Sequence, residues 1–74
     1  MENFYFTFGI GHAFGDKFQP IVADDMEQAR DTMCNAYGHS WAFGYTQQEF
    51  QQSINNGFFL NLKPLEPIYS KEVV

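Results

Sequence analysis

Phe4, Phe6 and Phe8 take every second position of one short stretch, with Tyr5 and Thr7 between them. Side chains along a β-strand alternate between its faces, so this spacing puts three phenyl rings on one side, with Ile10 continuing the row. Such a ribbon must be covered, and a chain of 74 residues has room for few covering elements. A fold of this length buries only roughly 60 to 65% of the surface its unfolded chain exposes. Aromatic rings compensate, because each can bury about 150 to 250 Å², and the chain has nine Phe, four Tyr and one Trp. That supply exceeds what so small a core can hide. The composition therefore predicts exposed aromatic surface and self-association as a homodimer or larger assembly.

The alternation stops at Gly11-His12-Ala13-Phe14-Gly15-Asp16-Lys17 and resumes from Phe18 to Ala23, which reads as a hairpin with a long tip whose first strand is central. Pro20 cannot donate to a ladder, so the second strand is expected at the sheet edge or only from Ile21. Asp24 or Asp25 caps a helix over 25–37, with Met26, Ala29, Met33 and Tyr37 on one stripe and Gly38 terminating it. Trp41, Phe43 and Tyr45 then share one face of a third strand, whose reverse, Ala42 and Gly44, is nearly bare and invites close packing. Thr46-Gln47-Gln48-Glu49 is a capping box that opens a short helix, anchored by Phe50 and Ile54 and ended by Asn55-Asn56-Gly57. Phe58, Leu60 and Leu62 alternate as a last strand, and Pro64 and Pro67 leave an extended or partly disordered tail over 63–74. The order β-β-α-β-(short α)-β predicts one α+β domain, a small, twisted, mainly antiparallel sheet of three or four strands packed on one main helix.

Nine carboxylates against four cations give a net charge of −5. Lys17, Arg30, Lys63 and Lys71 are scattered, so nucleic acid is not an expected partner. The acidity suits either a basic protein surface or simple solubility. A single cysteine and the lack of a secretory signal point to the cytoplasm, and no apolar run approaches the roughly 18 residues of a membrane span.

No residue set names a reaction, and no cofactor is expected. His12, His39, Cys34 and Asp16 lack metal-ligand spacing, and Cys34 on an amphipathic helix reads as an inert packing residue. The carboxylates of Asp24, Asp25, Glu27 and Asp31 read as a helix start with a solvated face. Gly9, Gly11 and Gly15, with His12 between them, form either a hairpin tip or a loop whose bare amides wrap a phosphate. Trp41, Phe43 and Tyr45 are either the second half of the core or a recognition surface, since Trp and Tyr dominate binding hot spots and also stack on flat ligands.

Phe4-Tyr5-Phe6-Thr7-Phe8-Gly9, Ala29-Arg30-Asp31-Thr32-Met33 and Gly38-His39-Ser40-Trp41-Ala42-Phe43-Gly44-Tyr45 together resemble small proteins encoded by phages and prophages of Gram-positive bacteria, over residues 4 to about 46. The resemblance implies a non-enzymatic accessory protein in the cytoplasm of an infected host, where several similarly small, acidic phage proteins antagonise defence systems. Its expected partner is a host protein that it binds and inhibits, such as a component of anti-phage immunity. No catalytic residue transfers, and the C-terminal third is not covered. Two readings stand beside this one. An oligomer could sequester a nucleotide-like signal, with the Gly9–Gly15 loop on phosphate and an aromatic face on the base, or the chain could be a structural or assembly protein.

Overall fold

A computed structural model describes residues 2–9 and 11–70. Ile10, expected to extend the first apolar row, and the tail from residue 71 lie outside the described residues.

The fold is α+β and grows from β1 (Glu2–Thr7), which pairs antiparallel with β2 (Lys17–Ala23) on one side and with β3 (Phe43–Thr46) on the other. The alternation puts Phe4, Phe6 and Phe8 on a single face. Between β2 and β3 lies α1 (Met26–Tyr37), which lowers Ala29 and Met33 onto that face beside Ile21 and Ala23; these seven side chains form the sealed core. Local chemistry sets both ends of α1. The Asp25 carboxylate accepts from the Gln28 amide at 2.8 Å, and Gly38, at φ 65, donates its amide to the Cys34 carbonyl.

The other face of the sheet carries Tyr5, Thr7, Phe18 and Tyr45. It is covered by α2 (Gln47–Asn55), whose Phe50 lies flat on Tyr5 with ring centroids 4.6 Å apart. The capping box is complete: the Thr46 hydroxyl accepts from the Glu49 amide, and the Glu49 carboxylate accepts from the Thr46 amide. At its C-terminus Phe58 donates to the Ser53 carbonyl and Gly57, at φ 92, to that of Ile54, the pair of bonds that closes a Schellman turn.

Two expectations from the sequence are corrected. First, Pro20 sits inside β2, opposite Tyr5, and β2 is not an edge strand. The carbonyls of Phe18 and Val22 point away from β1, accepting from the Leu65 and Ser70 amides. Pro20 points the same way, so its missing N–H falls in the gap between β4 (Lys63–Pro64) and β5 (Ile68–Tyr69), two short strands that run parallel to β2. Gln19 closes that gap. Its fully buried side-chain amide donates to the Pro20 and Glu66 carbonyls and accepts from the Tyr37 hydroxyl at 2.6 Å. Second, Phe58, Leu60 and Leu62 form no strand: Leu62 donates to the Phe59 carbonyl in a turn, and pairing begins only at Lys63. The described part of the tail is extended where it forms β4 and β5 and is fastened at Ser70, which bonds both the Val22 carbonyl and the Gln28 side chain.

Candidate functional site

The three rings proposed for one face of β3 occupy two. Trp41 precedes the strand and packs edge-on against Phe6 at 5.1 Å, on the α1 side. Tyr45 lies on the α2 side, 5.3 Å from Phe59 and 6.1 Å from Phe50. Phe43, two residues from Tyr45 on the same face, is 64% exposed. The bare reverse of β3 is used as its composition suggests. A Cβ added to Gly44 would stand 2.5 Å from the Phe6 ring, so only glycine lets that ring lie against the strand. The half-buried Trp41 keeps its indole N–H inside, and among the described residues it is a buried side-chain donor without an acceptor.

The Gly9–Gly15 loop is built by its own hydrogen bonds. His12 donates to the Gly9 carbonyl, Gly15 to that of His12 and Lys17 to that of Phe14, while the Phe14 amide donates to His12 Nδ1 at 2.9 Å. These amides are therefore turned inward, whereas a phosphate cradle needs them pointing at the ligand. The glycines have local reasons: Gly11 sits at φ 91, and a Cβ on Gly15 would lie 3.2 Å from two loop carbonyl oxygens. The His12 ring leans on Phe8 at 4.9 Å and Phe14 at 5.7 Å, covering the end of the core.

Cys34 is exposed on α1, not packed as its helix suggested, and His39 is exposed as well. Asp16 pairs with its neighbour Lys17 at 3.5 Å. The described residues contain no group of three or more His, Cys, Asp or Glu arranged to hold a metal ion. An open groove of about 580 Å³ beside α2 is lined by Glu2, Thr46, Gln47, Gln48, Gln51 and Gln52 among others. Its walls are side-chain amides with the Glu2 carboxylate and the Thr46 hydroxyl, the latter engaged in the helix cap, and they offer no apolar floor for a flat ligand. Burial pushes the Tyr37 phenol above its ordinary value near 10, consistent with its role as donor to buried Gln19.

What sequence reasoning missed is the turn after α2. Phe59 has φ 62, a left-handed conformation that L side chains adopt at a cost of about 1 to 2 kcal/mol. Its ring compensates by stacking on Phe50, 5.2 Å away and within 7° of parallel. With Phe59 anchored inward, Phe58 and Leu60 are turned out, 61% and 66% exposed. The signal was present: the Phe58-Phe59 doublet after Asn56-Gly57 breaks strict alternation, a poor strand start and a good turn.

No protein-family model matches the chain, and no curated protein or solved structure is significantly similar to it. Among the described residues no helix is long and apolar enough to cross a membrane.

Proposed function

We propose that this chain is a non-enzymatic binding protein whose contact with a protein target centres on Phe58 and Leu60. The observation that carries the reading is their presentation. Two large apolar side chains stand in water on a turn whose backbone is held by the Schellman bonds of α2 and by the stacked Phe59. Apolar side chains carried on a backbone already ordered in the unbound state leave only their own rotamer entropy to be lost on docking, which is how a few residues come to dominate an interface. The resemblance to phage and prophage products supports a host protein as the target and inhibition as the consequence, and the acidity of the chain suits a basic patch on that target.

The test is a quantitative pull-down from bacterial host lysate with the native chain and with Phe58→Ala/Leu60→Ala as baits, both checked for folding by circular dichroism. Proteins captured by the native chain should fall at least about tenfold with the variant, a typical hot-spot loss. Equal capture by both baits would overturn the assignment of the site.

A further inference from the structure

The two edges of the sheet are protected to very different degrees. On the β2 side the edge consists of β4 and β5, each two residues long; β4 is Lys63 and Pro64 themselves, and Glu66 and Pro67 lie between it and β5. Short strands, prolines and charges are the devices by which soluble proteins keep an edge from pairing with another chain. β3, the opposite edge, is four residues long and lacks the other two. Its sequence Phe43-Gly44-Tyr45-Thr46 carries neither charge nor proline, and Phe43 is 64% exposed at the rim.

From this asymmetry we propose that two copies of the chain pair through β3, antiparallel about a two-fold axis at Gly44, so that one sheet continues across a homodimer. The backbone supplies the self-complementarity. Phe18 and Val22 turn their carbonyls outward from β1, so Ile21 and Gln19, and with them Phe4 and Phe6, make the β1–β2 bonds, while Tyr5 and Thr7 face β3. Tyr45 and Phe43 answer them, which leaves Gly44 with its N–H and C=O directed away from the sheet. An antiparallel partner centred on Gly44 satisfies both groups in each copy, through two symmetry-related bonds. In that register Phe43 stands opposite the partner's Tyr45, where cross-strand rings are in contact range. The run from Ser40 to Gln48 is uncharged, and of the carboxylates near the strand's end Glu2 faces the groove beside α2 while Glu49 is folded back onto the Thr46 amide; an antiparallel partner brings its own pair to the opposite end. Two molecules of net charge −5 can therefore meet here without bringing like charges together. The inference is independent of the proposed target contact, which uses Phe58 and Leu60.

Sedimentation equilibrium from low micromolar to about 1 mM, the range of weak association, tests the pairing. The native chain should pass from 8.6 kDa to twice that mass, and Phe43→Lys should raise the dissociation constant about tenfold or more, because it places an unpaired ammonium among rings. Phe43 is exposed, so this variant keeps its fold. Register is read separately in a Cys34→Ser background: a mixture of Phe43→Cys and Tyr45→Cys chains should form a 43–45 disulfide on oxidation, and Phe43→Cys alone should not cross-link. Phe58→Ala/Leu60→Ala should dimerise like the native chain. A native chain that stays at 8.6 kDa throughout, a Phe43→Lys chain that dimerises as well as the native one, or cross-linking of Phe43→Cys with itself as readily as in the mixture would each overturn the proposal.

Discussion

The two faces of the sheet are made by the same three strands, yet one is sealed and the other is open. Under α1, Phe4, Phe6, Phe8, Ile21, Ala23, Ala29 and Met33 are all at most 5% exposed. Under α2, only Phe50 is buried from the helix itself, and Tyr5, Phe18, Tyr45 and Phe59 are half-buried. Helix length and side-chain size account for the difference. α1 has 12 residues and meets the sheet through the buried Ala29 and Met33, with Met26 and Tyr37 packed beside them, so its side chains cover the face over most of its length. α2 has nine residues and buries one large ring, Phe50, beside which Phe59 from the following turn is stacked. A face closed by a few stacked rings has fewer packed neighbours per side chain, so it opens more readily, and exposed groups concentrate there. Phe43, Phe58 and Leu60 all lie beyond the sealed side.

Truncating the core rings should have the largest effects. Phe6→Ala should cost about 3 to 5 kcal/mol in chemical denaturation and loosen both faces, since Phe6 also supports Trp41 and lies on Gly44. Phe50→Ala should cost about 2 to 4 kcal/mol but act locally. Hydrogen exchange should rise across 47–62 while the amides of α1 stay protected. Equal loss of protection in α1 would show that the two faces are one cooperative unit.

Gln19→Leu tests the polar seam rather than the rings. It leaves the Tyr37 hydroxyl and the Pro20 and Glu66 carbonyls without their partner, and should cost about 2 kcal/mol, read as a lowered denaturation midpoint. The fastening of β4 and β5 should weaken with it, visible as faster exchange at Leu65 and Ser70. The smallest effect is in alkaline stability. Burial raises the Tyr37 phenol above its ordinary value near 10, so the unfolded chain ionises first as pH rises. The contribution of Tyr37 is therefore complete below about pH 10 and declines as the pH climbs through the higher folded value. Tyr37→Phe should flatten that alkaline decline in a denaturation series from neutral pH to about 11. An unchanged slope would show that ionisation of Tyr37 is not linked to folding.

Much of the fold is legible in the chain because it depends on neighbours three or four positions apart. Asp25 and Gly38 bound α1, Thr46 with Glu49 opens α2 and Gly57 closes it; each acts on backbone groups within one turn. The alternation of Phe4, Phe6 and Phe8 likewise needs only the pleat of a strand. The site was less legible. The separation of Trp41 from Phe43 and Tyr45 depends on Trp41 packing on Phe6 ahead of the strand, and the outward turn of Phe58 and Leu60 depends on Phe59 accepting a left-handed backbone to reach Phe50.

Those choices are tertiary because their energies come from partners far along the chain. Pro20 is tolerated inside β2 since the gap between β4 and β5 happens to face it and Gln19 bridges that gap to Glu66, 47 residues away. The parallel pairing of 63–64 and 68–69 has no local signature, because two-residue strands have no period to read. The sequence by itself determined where the helices start and stop and which face of β1 is greasy. The packed structure decided which rings of an oversupplied aromatic set stay inside, because that depends on the space each helix leaves against the sheet.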